Sequence, residues 1–276
     1  MTEDFGQTWK NITSNLPAVG STRCLREDVD NPDLLYCGTE FSIFASLNRG
    51  QSWTRINNNL PTVAVHEIAI HPTAGEIVAA THGRSLWILD VSALRQMKPD
   101  TLSASAHLYK PHPSVRWQME PAHGKTNRRF VGQNPPPGPQ IYYSLTQTAK
   151  KVSFKVLDIE GKTLTQWAGS AKAGLHKTTW DMTRPTEVAK KDDEKKGDKI
   201  RPMDEAKKDD EKKGGKGKKG GFGQQGRRFA PAGEYRVIMT VDGTAYPATL
   251  RLEGDPNVPP DRRLAEEEVP DLPKID

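Results

Sequence analysis

The chain contains one short pattern twice. The octapeptide TEDFGQTW at residues 2–9 returns as SLNRGQSW at residues 46–53, which gives a repeat distance of 44 residues. The tripeptide Asn-Leu-Pro follows each copy at the same distance, and the strand-like segment 34–39 has a counterpart at 76–81. A period of this length, filled with short β-type segments, is typical of a β-propeller with one four-stranded blade per period.

The octapeptide suits a hairpin turn between two strands. Its third residue, a short carboxylate or amide, can accept backbone N–H bonds within the turn, and its glycine supplies a positive φ. The closing tryptophan opens the next strand and is expected to pack under the turn. The pattern resembles the Asp-box, or BNR repeat, of sialidase-like and sortilin-type propellers. The residues to which we assign this structural role are Asp4, Gly6, Trp9, Asn48, Gly50 and Trp53.

The strand pattern predicts a partial propeller over residues 1–92. Propellers have at least about four blades, whereas these residues encode hardly two. We therefore expect the chain to be the C-terminal part of a longer protein, whose missing N-terminal blades would pack against this portion and whose N-terminus would carry any secretion signal. The predicted strands are 23–29, 34–38, 42–46 and 52–56 in one blade, and 65–70, 76–81 and 85–90 in the next.

A second β-rich unit is predicted at 138–255, after a Pro-rich, irregular linker at 93–137 and before a tail at 256–276. About seven strands over a unit of this size suit an immunoglobulin-like sandwich. The expected fold class is therefore all-β, a partial propeller followed by a sandwich. The segments whose apolar and polar residues alternate as in half-buried strands are 140–145, 152–158, 175–181, 233–241 and 249–252.

Family resemblance extends over nearly the whole chain. The segments 174–181 and 231–237 together look like an immunoglobulin-like domain of the flagellar hook-cap type. Other segments resemble the C-terminal third of large bacterial Asp-box proteins, usually labelled sortilin-type or glycosyl hydrolase-like. The resemblance implies a secreted, periplasmic or cell-surface protein, and it supplies no catalytic motif. The segments that carry this second resemblance are 36–41, 60–66, 81–90 and 134–138.

Charge is concentrated in one insert of the predicted sandwich, residues 187–228, where the octapeptide KKDDEKKG occurs twice. This insert holds 15 Lys and Arg against 10 Asp and Glu, which leaves 25 basic and 25 acidic residues elsewhere. The net charge of +5 therefore belongs to the insert and does not indicate nucleic-acid binding. A polyanion-binding arm is the alternative, but the interleaved acids oppose it. With few apolar residues to bury, the insert is expected to be a disordered, solvated loop.

Several classes of protein are disfavoured by the remaining residues. No run approaches 18 consecutive apolar residues, so no membrane span is expected. The sequence shows neither a metal-binding spacing of Cys and His nor a Gly-rich phosphate loop, so no metal or cofactor is expected. The two cysteines, Cys24 and Cys37, are too few for a disulfide scaffold. They are predicted on adjacent strands, either as a pair across the hairpin or, more in keeping with their burial, as free thiols.

Candidate functional residues cluster on the propeller face opposite the Asp-box turns. In a four-stranded blade, the turn between the second and third strands shares this face with the loops between blades. A Glu pair there could perform acid–base chemistry on a glycoside, and an arginine could hold a carboxylate. The stronger interpretation is an ordinary polar channel mouth, which any propeller presents. The candidates are Glu40, His66, Glu67, His82 and Arg84, with Glu40, Glu67, His82 and Arg84 as the weak catalytic candidates.

Two functions from different classes follow. The first is a non-catalytic recognition or scaffold region of an exported protein, binding protein or glycan on this face. The second is the C-terminal portion of a sialidase-like glycoside hydrolase whose main catalytic residues lie on missing blades. A sialidase site needs an arginine cluster and a tyrosine nucleophile drawn from several blades, and these two blades show neither, so the first function is favoured.

Limited proteolysis tests the disorder prediction. Proteases should cut within residues 187–228 first and leave both flanking portions associated, because a segment without apolar anchors cannot offset the entropy of ordering. Cleavage sites are read by mass spectrometry. Protection of this segment equal to that of residues 152–157 would contradict the prediction.

Overall fold

The computed structural model describes residues 1–117, 137–184 and 228–258. The predicted insert at 187–228 lies outside these ranges except for Arg228, as do residues 118–136 of the predicted linker and 259–276 of the predicted tail. The described chain is all-β, with a pair of antiparallel meanders followed by a two-sheet sandwich, and the predicted fold class is confirmed. None of its helices is long and apolar enough to cross a membrane.

The first meander is a complete four-stranded blade, and the second has three strands in the described chain. Both are antiparallel sheets in which sequential strands are neighbours. Every strand that the repeat predicted is present, with bounds within about two residues at most ends, as expected for a pattern-based prediction. Blade 1 consists of β1 (Thr22–Glu27), β2 (Leu35–Thr39), β3 (Ile43–Ser46) and β4 (Thr54–Arg55), and blade 2 of β5 (Val65–Ile70), β6 (Glu76–Thr81) and β7 (Leu86–Asp90).

The two blades pack face to face around a shared apolar core. Tyr36 and Ile43 of blade 1 and Ile68 and Ile77 of blade 2 are among its fully buried members. The first strands of the blades are neighbours, because the Cys24 thiol donates a hydrogen bond to the carbonyl oxygen of Val65 at 3.7 Å. Alternation along each strand sends one set of side chains to this core and the other set to the opposite face.

Cys24 and Cys37 are free, buried thiols. Cys24 is paired in the ladder with Gly38, and Cys37 with Leu25, so the two cysteines stand on adjacent positions of the hairpin and point to opposite faces of the sheet. A bond across the hairpin would need both side chains on one face. Burial raises the pKa of both thiols, that of Cys37 to about 11. Neither cysteine therefore has the character of a reactive thiolate.

The sandwich contains two main sheets and a short ribbon. One sheet has the order β13-β10-β8, the other β12-β11-β16-β17-β9, and β14 pairs with β15. Its core contains residues from both sheets, including Ile141, Tyr143, Phe154 and Val237. The strands are β8 (Ala106–Leu108), β9 (Ser114–Arg116), β10 (Gln140–Leu145), β11 (Val152–Leu157), β12 (Thr163–Ala168), β13 (Gly174–Thr179), β14 (Thr183–Arg184), β15 (Arg228–Phe229), β16 (Gly233–Val241) and β17 (Thr244–Gly254).

The expectation of an irregular linker is wrong for residues 93–117. Two short helices, α1 (Ser92–Gln96) and α2 (Pro99–Ser103), follow blade 2, and β8 and β9 then join the two sheets of the sandwich. Three-residue strands between prolines show too little alternation to be read from sequence. Residues 93–117 are thus part of the folded structure that connects blade 2 to the sandwich.

A buried ionic cluster fixes α1 against blade 1. The Asp28 carboxylate, in the turn between β1 and β2, accepts hydrogen bonds from Arg95 Nε at 2.9 Å and from the Tyr36 hydroxyl at 3.0 Å. It also accepts backbone N–H groups of Asp30 and Asn31. The side chain of Asp28 is fully buried and that of Arg95 is 9% exposed. The buried charge therefore has hydrogen-bond partners on both carboxylate oxygens.

The Asp28 cluster is tested by mutation. Asp28→Ala should lower the free energy of unfolding by about 3 kcal/mol, because it leaves a buried guanidinium without its main partner. Asp30→Ala is the matched control: Asp30 also contacts Arg95, at 2.9 Å, but its side chain is 60% exposed. Its loss should be below about 1 kcal/mol. Urea unfolding measures both, and equal losses would contradict a special role for Asp28.

Candidate functional site

The structure places the turns between the second and third strands of both blades in equivalent positions. The backbone N–H of Glu40 donates to the carbonyl of Ser21 at 3.0 Å, and that of His82 donates to the carbonyl of Ala64 at 2.9 Å. Ser21 and Ala64 immediately precede the first strand of their blades. Glu40 and His82 are therefore repeat-related positions at the same end of the two blades, each held by the segment that enters its own blade.

Both candidate glutamates form ion pairs with arginines of β1. Arg23 contacts Glu40 at 2.5 Å, and Arg26 contacts Glu67 at 2.5 Å, so the second pair joins blade 1 to blade 2. The four side chains are all partly exposed to solvent. Sequence reasoning missed both arginines. The position of β1 beside β5 is the signal that could have found Arg26, and the pairing of β1 with β2 within blade 1 is the one that could have found Arg23.

The two candidate histidines contact each other. The rings of His66 and His82 are stacked with centroids 5.2 Å apart and an interplanar angle of 22°. Arg84 lies in the same turn as His82, and its carbonyl oxygen accepts a hydrogen bond from the Trp87 indole at 2.8 Å. The turn is thus fixed through its backbone, while the Arg84 side chain is exposed. In the described ranges, no hydrogen bond or ion pair of the Arg84 guanidinium is found.

The two candidate glutamates do not form a carboxyl pair in this arrangement. A glycosidase needs two carboxyl groups that face each other across the bond to be cleaved. Here Glu40 and Glu67 are each turned to a separate arginine and face solvent, which is the geometry of surface ion pairs. The pairs cancel their own charges, whereas Arg84, two residues after His82 in the same turn, forms no ion pair within the described residues.

A pocket of about 590 Å³ lies elsewhere, where the turn between β1 and β2 meets α1, α2 and β8. Its wall includes charged groups that already pair with each other, such as Asp30 with Arg95. Burial lowers the pKa of His107 in this wall. None of the predicted site residues lines it, because it forms where segments distant in sequence meet. The lining residues are Asp30, Asn31, Pro32, Asp33, Arg95, Gln96, Lys98, Thr101 and His107.

Metal binding finds no support in the part of the chain that the structure describes. Within residues 1–117, 137–184 and 228–258 there is no group of three or more His, Cys, Asp or Glu side chains that could hold a metal ion.

The two octapeptide turns have the same hydrogen bonds. In the second, Asn48 Oδ1 accepts the backbone N–H of Ser52 at 2.9 Å and the hydroxyl of Ser46 at 2.9 Å. The Ser46 hydroxyl oxygen in turn accepts the N–H of Gly50 at 2.8 Å. Arg49 and Gly50 both have positive φ, of 54° and 81°, as the two central residues of a type I′ hairpin turn do.

The first turn repeats this pattern with an ionised group at its centre. Asp4 accepts the N–H of Thr8 at 2.9 Å and the hydroxyls of Thr8 and Thr2. The N–H of Gly6 donates to the Thr2 hydroxyl at 2.8 Å. The Thr8 hydroxyl and N–H, followed by the Thr2 hydroxyl, lower the pKa of Asp4 to about 2. The side chains of Asp4 and Asn48 thus contact their own turns.

The two tryptophans differ, and the expectation that each packs under its turn is wrong for Trp9. Trp53 is 5% exposed and packs on Cys37 and Phe44 of its own blade, whereas Trp9 is 75% exposed. Residues 2–9 have no sheet of their own in the described chain, so the Trp9 ring has no such surface to cover. The octapeptide specifies the turn, but burial of its tryptophan depends on neighbouring strands.

Comparison with known proteins provides little information about this chain. No protein-family model matches the chain. No curated protein matches it either. Among solved structures, it is similar to the extracellular domain of a putative hybrid two-component system from B. thetaiotaomicron, at 7% identity and a TM-score of 0.22. The similarity covers 85% of this chain and 25% of that chain, so the chain spans about a quarter of that protein's length. A likeness at this level carries no information about function.

Mutation of Asn48 tests whether the turn chemistry is structural. Asn48→Ala should lower the free energy of unfolding by about 1 kcal/mol, the usual effect of losing side-chain hydrogen bonds to the backbone. Asn48→Asp is the matched control and should retain most of that stability, because Asp4 makes the same contacts in the first turn. Thermal unfolding measures both. An Asn48→Ala protein of unchanged stability would contradict the structural role.

Proposed function

We propose that this chain is a non-catalytic recognition or scaffold region of an exported Asp-box propeller protein, and that it binds a protein or glycan on the face that carries Glu40, His66, Glu67, His82 and Arg84. The observation that supports this proposal is the exposed His66–His82 stack beside Arg84. An imidazole stack offers a flat, rigid contact surface, and a guanidinium offers a fork of N–H donors.

The charges on this face favour an acidic ligand. Arg23 and Arg26 are already bound by Glu40 and Glu67, so among the five residues named for this face the positive charge available to a ligand is that of Arg84. Guanidinium groups bind carboxylates with two parallel hydrogen bonds, which fixes the orientation of the bound group. The ligand chemistry that fits is a carboxylate, on an acidic sugar or on an Asp- or Glu-rich peptide, with a flat apolar surface next to it.

Binding to immobilised ligands tests the proposal. The whole chain is applied to arrays of neutral oligosaccharides, carboxylate-bearing oligosaccharides and acidic peptides, and the affinity of each positive ligand is then measured by calorimetry. Arg84→Ala should weaken binding by about tenfold to a hundredfold, as expected for loss of a charge-assisted hydrogen bond. Arg55→Ala is the control, since Arg55 is an exposed arginine on β4. Equal losses, or no acidic ligand, would contradict the proposal.

An activity assay separates this function from the glycoside hydrolase. The chain should show no turnover on a panel of aryl glycosides, because neither candidate glutamate faces a second carboxyl group across a cleft. Turnover by the wild-type chain that disappears in Glu67→Gln would replace the recognition proposal by the hydrolase. The same variant should remain folded, since the pair it weakens is exposed.

A further inference from the structure

The pocket between the first turn of blade 1 and the segment that follows blade 2 is separate from the candidate face. The turn between β1 and β2 contributes to its wall together with α1, α2 and β8, and its volume is about 590 Å³. This size falls in the range of small-molecule sites in proteins. In the antiparallel sheet of blade 1, the turn between β1 and β2 lies at the opposite end of the strands from the turn that carries Glu40. A ligand in the pocket is therefore distinct from a ligand of the candidate face.

The side of the pocket formed by the turn is held in place through its backbone. The N–H of Arg49 donates to the carbonyl oxygen of Asp33 at 2.9 Å, and the Arg49 guanidinium donates to the carbonyl oxygen of Pro32 at 3.3 Å. The Asn31 side chain accepts the N–H of Asp33 at 3.1 Å and donates to the carbonyl oxygen of Arg95 at 3.1 Å. In the described part of the chain, the exposed Asp33 carboxylate forms no ion pair or hydrogen bond. The turn thus presents a carboxylate on a fixed backbone.

The neutral polar side chains on the helical side of the pocket are already used within the chain. Gln96 Nε2 donates to the carbonyl oxygens of Ser92 at 2.9 Å and Lys110 at 3.0 Å, and its Oε1 accepts the N–H of Lys110 at 2.9 Å. The Thr101 hydroxyl accepts the N–H of Lys98 at 2.8 Å. The Lys98 side chain is exposed, and its ammonium forms no ion pair within the ranges that the structure describes.

The charges around the pocket therefore divide into a paired set and an unpaired set. Arg95 donates from Nε to Asp28 at 2.9 Å and from Nη1 to Asp30 at 2.9 Å, so its charge is compensated. Asp33 on the turn and Lys98 before α2 line the same pocket but form no ion pair with each other. One negative and one positive group are thus available to a ligand at the same time.

His107 on β8 adds an uncharged polar group to the pocket. Burial lowers the pKa of His107, so its imidazole is neutral at neutral pH and has one N–H donor and one nitrogen acceptor. Its ring meets the ring of Tyr109 edge-on, with the centroids 4.8 Å apart and an interplanar angle of 71°. The imidazole can hydrogen-bond a polar ligand without changing the charge balance of the pocket.

We propose that this pocket binds a zwitterionic ligand, an amino acid or a short peptide, whose ammonium group binds Asp33 and whose carboxylate binds Lys98. Hydrogen bonds between ionised partners are stronger than neutral ones, so a ligand with both charges gains more than a ligand with one. An ammonium group has three donors, and the carboxylate of Asp30 on the same turn is a second acceptor for it. This inference is independent of the ligand proposed above for the candidate face.

Calorimetry with charge-blocked ligands tests the requirement for both charges. The whole chain is titrated with the common amino acids and with alanylalanine, and then with the N-acetylated and the C-terminally amidated form of each ligand that binds. Each blocked form should bind about tenfold to a hundredfold more weakly, as expected for loss of a charge-assisted hydrogen bond. Binding by no amino acid and no alanylalanine would overturn the proposal, and so would a blocked form that binds as tightly as its parent.

Two substitutions test which residue binds which end of the ligand. Asp33→Asn and Lys98→Met each remove one charge from an exposed side chain, and thermal unfolding verifies that both variants are folded. The controls are Asp100→Asn and Lys110→Met, which make the same changes at exposed residues that do not line the pocket.

The result expected from the variants is specific to the proposed orientation. Asp33→Asn and Lys98→Met should each weaken binding of the unblocked ligand about tenfold to a hundredfold, and the controls should bind as the wild-type chain does. N-acetylation should have no further effect in Asp33→Asn, and amidation none in Lys98→Met, because each variant already lacks the partner of the blocked group. Equal losses in the controls, or blocking effects that stay unchanged in both variants, would overturn the proposal.

Discussion

The buried carboxylate of Asp28 joins parts of the fold that are far apart in sequence. An ionised group in the interior is stable only when its lost hydration is replaced, and here the replacement comes from Tyr36 in β2, Arg95 in α1 and two backbone N–H groups. Since α1 begins directly after blade 2, this one carboxylate fixes the end of blade 2 to the first hairpin of blade 1. Met97, just beyond α1, then packs in a buried cluster with Tyr109, next to the sandwich.

The regular parts of the fold could be predicted because their signal is local or repeated. The strands at 65–70 and 76–81 alternate clearly, and the repeat supplies their counterparts in blade 1. The strands β8, β9, β12, β14 and β15 were missed. The first two are three residues long, and β12 mixes three polar and three apolar residues without regular alternation, so its two faces show little contrast. The ion pair of Asp28 with Arg95 spans 67 residues and has no local signal at all.

The candidate site could likewise be predicted only in part. The face that carries Glu40 and His82 followed from strand order alone, and the contact of His66 with His82 is consistent with that placement. The sequence could not show which charged side chains on this face form ion pairs with each other. The partners of Glu40 and Glu67 come from β1, and the pair of Arg26 with Glu67 exists only because one blade packs on the next. Those partners determine which charges on this face are already paired within the chain.

The short ribbon of β14 and β15 has a consequence for how this protein can change over evolution. Thr183 is paired with Phe229 and Arg184 with Arg228, so the residues on either side of the segment 185–227 are held next to each other. The entropy lost on closing a loop grows only with the logarithm of its length, by about 0.6 kcal/mol for each doubling. Because the ribbon already holds the two ends side by side, a change in the length of the sequence between them carries a small closure cost, which makes the ribbon a place to graft a tag or a foreign epitope.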